Sequence, residues 1–142
     1  MAAVAYTAAQ IAPVDPIKCD IRTYVAAVAI TKGQPVYFIA ASPGRVGLAD
    51  ANAGGAQQFR GIALNAAGAG QAVDVLHEGA VYGFTLTGLN VDAFVYLADA
   101  VGSYDDGVGT MTVPVGRVIG LTNDPTFTKV LQVFTQWEAQ WA

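Results

Sequence analysis

Charge is what this chain has least of. Only 13% of its 142 residues are Asp, Glu, Lys or Arg, about half the share usual for a soluble domain. The seven Lys and Arg are scattered, and the net charge is −4. A protein that grips nucleic acid needs a basic stripe to displace counterions from phosphates. None is present, so direct genome binding is not expected. There is one cysteine, Cys19, which excludes an intrachain disulfide and leaves a small buried or inert thiol as the expectation. There is one histidine, His77. Ser-His-Asp and Cys-His mechanisms both need that residue, but it lies mid-pattern in a strand beside Glu78. A second histidine four residues on would make a zinc site; Val81 stands there. His77 therefore reads as a structural or surface residue. No run of 18 apolar residues occurs, which argues against a membrane-spanning helix and against a membrane partner. The apolar start MAAVAYTAAQIAPVDP has no basic region and is interrupted by Gln10 and Pro13, so it does not read as a signal peptide.

Other candidate chemistry fails on spacing. Asp99, Asp105 and Asp106 lack the EF-hand order and its terminal Glu. Asp74 and Glu78 in one strand would stand about 13 Å apart, beyond the roughly 5–9.5 Å of a glycosidase pair. Gly68-Ala69-Gly70 runs into the strand QAVDVLH, whereas a phosphate loop must run into a helix. No catalytic residue, cofactor or metal is expected.

What the chain does have is apolar side chains, 54% of the total, arranged with period two. The organising stretch is Gln58–Leu86. There Val73, Val75 and His77 share one face of a strand, and Tyr82, Phe84 and Leu86 one face of a second; a tight turn at Glu78-Gly79 is expected between them. Upstream, Tyr24, Ala26, Val28 and Ile30 alternate with Val25, Ala27 and Ala29, which predicts a strand covered on both faces. Further strands are expected near Pro35–Ala40, Arg45–Ala49, Phe59–Asn65, Ala93–Ala98, Thr110–Val113, Pro114–Leu121 and Phe127–Thr135. Turn residues separate them, at Lys32-Gly33, Ser42-Pro43-Gly44, Thr87–Asn90 and Asp106-Gly107. Gly116 and Gly120 on one face of their strand predict close approach of another backbone. About nine or ten short strands with no long helix indicate an all-β fold, a compact antiparallel β-barrel or sandwich.

Two domain-scale regions are expected. Residues 24–142 form a single β-rich body. Residues 1–23 form an extended N-terminal arm, since Pro13 and Pro16 forbid regular pairing and no side-chain charge precedes Asp15. In that arm Val4, Tyr6, Ile11, Val14 and Ile17 are more apolar than a solvated tail needs, as if they order on a partner. The short tail Gln136–Ala142 carries Trp137 and Trp141. They either cover the open end of the barrel or anchor in a subunit interface. So much apolar surface with so little charge suggests that another protein covers part of it.

The ordered pieces Gly33–Val36 (GQPV), Gly61-Ile62-Ala63 (GIA), Val73–Phe84 (VDVLHEGAVYGF), Val95-Tyr96-Leu97 and Val113–Val118 (VPVGRV), ending in Lys129-Val130-Leu131, resemble the capsid cement or decoration proteins of tailed phages. The match covers Tyr24 to Thr135. The chain departs from that pattern in its longer apolar N-terminus and its Trp-bearing tail. The resemblance implies a protein made in the host cytoplasm and placed on the capsid exterior of the virion. It would bind the major capsid protein, strengthen the shell and self-associate as a homotrimer, with no catalytic residues. Expected contacts are Val4, Tyr6, Ile11, Val14 and Ile17 of the arm, which could add a strand to a capsid edge, with Trp137 and Trp141. Two other readings stay open. One is a glycan- or receptor-binding virion module that stacks sugars on Tyr24, Tyr37, Tyr82 and the two Trp. The other is a trimeric nucleotide hydrolase of the dUTPase type.

Overall fold

Ten strands follow one another in the structure, a computed structural model that describes residues 2–52, 55–121 and 129–135. They are β1 (Ala12–Pro13), β2 (Asp20–Ala26), β3 (Pro35–Phe38), β4 (Arg45–Leu48), β5 (Phe59–Ala63), β6 (Ala72–Tyr82), β7 (Phe94–Leu97), β8 (Tyr104–Asp105), β9 (Pro114–Gly120) and β10 (Lys129–Val133). The all-β class is as the alternation of side chains indicates. Thr110–Val113 is not a strand, and the strand expected from Tyr24 begins at Asp20 and ends at Ala26. Nor is that strand covered on both faces: Arg22, Thr23 and Val28 are exposed.

Five strands close on themselves in the order β2-β4-β3-β5-β6, with β6 returning to β2. β2 and β4 pair in parallel and the other seams are antiparallel. Each of the five contributes to one buried cluster: Ala26, Val46, Val36, Ala63, and Val73 with Val75. These side chains fill the lumen. Their small size follows from the strand number, because a five-stranded barrel is too narrow for larger groups. Ile30 and Ala67, bridged to each other, belong to the same cluster.

β6 is long because it serves two sheets. Its first part pairs with β2 and β5; its last residues pair with β10 and β1. The tight turn expected at Glu78-Gly79 is absent, and the chain runs straight through. Instead the β2 register slips there: Asp20 faces Glu78 while Ile21 faces Leu76, so His77 is the extra residue of a bulge. Gly79 is needed just beyond it. Its φ is 137°, and a Cβ there would run into Cys19 Sγ. From β6 the second sheet continues through β10, β9 and β7 to β8. Gly116 allows the close approach its position suggested, since a Cβ would strike the carbonyl of Gln132. The larger core lies between this sheet and the barrel wall and joins Phe59, Ile62 and Leu76 to Val81, Val95, Leu97, Val115, Val118 and Leu131.

The N-terminal residues are not a free arm. Val4 N–H donates to the Tyr104 carbonyl (2.9 Å), Thr85 N–H to Ala5 (2.9 Å), Thr7 N–H to Gly83 (2.8 Å) and Val14 N–H to Ala80 (2.9 Å). The segment thus runs from the outer edge of the second sheet at β8 back to the end of β6. Val4 and Ile11 are buried in the larger core, and the Tyr6 ring packs against Phe84 and Tyr104 at 5.6 and 5.7 Å. Val4, Tyr6 and Ile11 seal the chain's own sheet, so residues 2–14 pack as part of the β body and not as a separate arm.

Candidate functional site

The barrel wall carries apolar side chains both at its mouth and on its outside. At the mouth, one alternation step beyond the aliphatic lumen, stand Tyr24 of β2, Phe38 of β3 and His77 of β6. Period two puts them on the faces of Ala26, Val36 and Val75. Their rings meet edge to face or tilted, Tyr24–Phe38 at 5.2 Å, Tyr24–His77 at 5.5 Å and Phe38–His77 at 6.0 Å.

His77 is fully buried. Its Nδ1 lies 2.5 Å from the carbonyl oxygen of Arg60 and its Nε2 lies 2.7 Å from Tyr24 Oη. A carbonyl only accepts, so Nδ1 carries the proton and Nε2 accepts from the Tyr24 hydroxyl. Burial pushes the imidazole below its ordinary pKa, and the hydrogen bond to Arg60 opposes this in part. Burial likewise pushes the Tyr24 phenol up. The ring is therefore a neutral strut between β6, β5 and β2. The sequence placed His77 correctly on the face of Val73 and Val75; what it could not show was that β2 and β3 bring two aromatic rings onto it.

Above these rings lies a cavity of about 300 Å³ lined by Tyr24, Phe38, Ile39, Ala40, Pro43 and Arg45. Phe38 is 36% exposed at its edge. Ile39 also belongs to a second concavity of about 520 Å³ on the outer wall, where Val28, Ala29, Tyr37 and Val101 are its neighbours; Leu48 reaches its border from the lumen face, where it pairs with Val36. Val28 and Val101 there are 45% and 59% exposed. Tyr37 lies across Gly47, where a Cβ would sit 3.0 Å from the ring. The two hollows make one apolar stretch around the end of β3, and Arg45 is the charged group lining them.

The other expected contact residues are dispersed. Val4 and Ile11 are inside the core, Tyr6 is half-buried against it, and Val14 is half-buried beside Ala80. Ile17 is 95% exposed. Trp137 and Trp141 lie outside the described residues. Tyr24, Tyr37 and Tyr82 do not form one platform: Tyr24 is in the mouth, Tyr37 is on the outer wall, and Tyr82 is in the paired end of β6 opposite Ala12. Cys19 is half-buried, and its thiol is pushed up, chiefly by burial. Asp99 holds its own loop, accepting from the N–H and hydroxyl of Thr110 at 2.7 and 2.9 Å. Among the described residues no three His, Cys, Asp or Glu side chains gather as metal ligands.

No family model matches the chain, and no curated protein is significantly similar to it.

Proposed function

We propose that this chain is a structural virion protein of a tailed phage, one that binds the outer surface of the capsid and cements neighbouring major capsid protein subunits. The observation that carries the reading is the apolar outer wall. Val28, Val101, Tyr37 and Ile39 surround a hollow of about 520 Å³ on a barrel whose five strands are all paired. A closed barrel offers no edge for strand addition, so the contact is made by side chains. Burying such a patch on the shell removes it from water, and the protein then stabilises the state it binds by mass action. The resemblance of the ordered sequence pieces to those of cement proteins favours the same reading. Attachment moves from the N-terminal segment to the wall, because Val4 and Ile11 already fill the chain's own core. The protein acts as a homotrimer, so that several walls engage one shell and each later contact is intramolecular. It performs no catalysis.

The test is co-sedimentation of the purified protein with expanded and unexpanded shells, with copy number read by mass spectrometry. Saturable binding to shells at a fixed ratio to the major capsid protein is the expected result. Absence of binding to either form would end the proposal.

A further inference from the structure

We propose that the barrel mouth is the receptor for the Pro16–Ile17 knob of a second copy of this chain. This contact gives form to the self-association named above and does not depend on shell binding.

The knob is built before it binds. Pro16–Lys18 is a single 3-10 turn; the Asp15 side chain accepts from Ile17 N–H, and Lys18 and Cys19 N–H close back on Asp15 and Pro16. Pro16 fixes its own φ. This short turn holds Ile17 out at 95% exposure, while Val4 and Ile11 of the same segment are buried. Docking takes this isoleucine out of water, and because its backbone is already ordered it loses little entropy in the process.

The mouth has the matching chemistry. Its volume of about 300 Å³ is at the small end of ligand pockets, room for two compact side chains. Tyr24, Phe38, Ile39 and Pro43 line it, an apolar surface of the kind that an isoleucine and the proline ring before it can pack against. Charge selects the approach as well, with Asp15 toward the mouth and Lys18, the exposed cation on the other side of Ile17, turned away from it. Arg45 stands exposed at the rim with no ion pair among the described residues. One carboxylate oxygen of Asp15 bonds Ile17 N–H, and the other has no hydrogen bond or ion pair among the described residues. Seating Ile17 in the mouth brings Asp15, two residues earlier, to the rim. Each copy offers one knob and one hole, so the contact closes either reciprocally across a two-fold axis or head to tail into a ring when the rotation allows.

The experiment is sedimentation velocity on the full chain, with two variants. Ile17→Asp removes the knob, and the double variant Ala40→Trp, Arg45→Glu blocks the hole; all three positions are exposed, and unchanged melting curves confirm the folds. Wild type is expected to assemble and each variant alone to sediment as a monomer. A one-to-one mixture retains one good knob and one good hole, so it is expected to form a heterodimer and nothing larger. The proposal is overturned by a monomeric wild type, by an Ile17→Asp chain that assembles as wild type does, or by a mixture that yields no heterodimer. No shell is present in any arm, so this result stands apart from the capsid test.

Discussion

At His77 the barrel exchanges an aliphatic lumen for a hydrogen-bonded one, and this has a pH signature. Burial holds the imidazole below its ordinary pKa, so the folded protein keeps it neutral while the unfolded chain protonates near pH 6.5. Between those two values the unfolded state binds more protons, so stability rises with pH. The His77 contribution is thus fully present above about pH 6.5 and declines as pH falls toward the folded value. Urea melts at pH 7.5 and 5.5 should show a loss at the lower pH, and in His77→Gln that difference should shrink. Tyr24→Phe leaves Nε2 buried without its donor and should cost about 1–3 kcal/mol at pH 7.5; no loss would mean that the ring is not a strut. Gly79 makes a second residue-scale prediction. With φ at 137° and the Cys19 sulfur where a Cβ would go, Gly79→Ala meets both strain and collision. A loss of roughly 2–4 kcal/mol is expected. Adding Cys19→Ala should recover only the collision part, and fully additive losses would contradict that division.

Among the elements, the N-terminal segment is the one whose role differs most from its sequence appearance. It joins β8 to the end of β6 and contributes Val4, Tyr6 and Ile11 to the larger core. Deleting residues 1–14 should therefore uncover Phe84 and Tyr104 and lower the melting temperature sharply, with binding of a hydrophobic dye. A truncated chain that melts like the full one would mean that the segment is only laid on the surface. Its apolar residues were legible in the sequence, but an apolar segment says only that it will be covered, not by which chain. Gly33 held the missing signal: its φ is 96° and a Cβ would sit 2.7 Å from the Tyr6 ring, a contact between distant positions that no local pattern announces. Glu78-Gly79 was misleading for a related reason. A glycine inside a strand run marks a turn or a bulge, and only the register against β2 decides between them. Most other strands were legible because alternation and turn residues are local, as at β3, β4, β7 and β9. The mouth was legible only in part, since its three rings come from three strands.

For the whole molecule, β6 sets the arrangement: its bulge lets one strand wall a narrow barrel and then open a second sheet with the larger core. Since the barrel closes and the N-terminal segment pairs with β8 and the end of β6, the barrel offers partners side chains rather than backbone. The two hollows share Ile39, but on the readings proposed the shell meets the outer wall around Val28 and Val101, and other copies meet the knob and the mouth around Tyr24 and Phe38. Replacing Val28 and Val101 by Asp should abolish shell binding while leaving assembly and melting unchanged, because both side chains are largely in water already. Ile17→Asp should act differently. Each monomer keeps its wall, so weak binding persists, but the avidity of linked walls is lost and apparent affinity falls by about 100-fold or more. Co-sedimentation at graded protein concentrations separates the two effects. The wall variant should fail at every concentration, whereas the knob variant should recover at high concentration; identical curves would show that one surface serves both contacts.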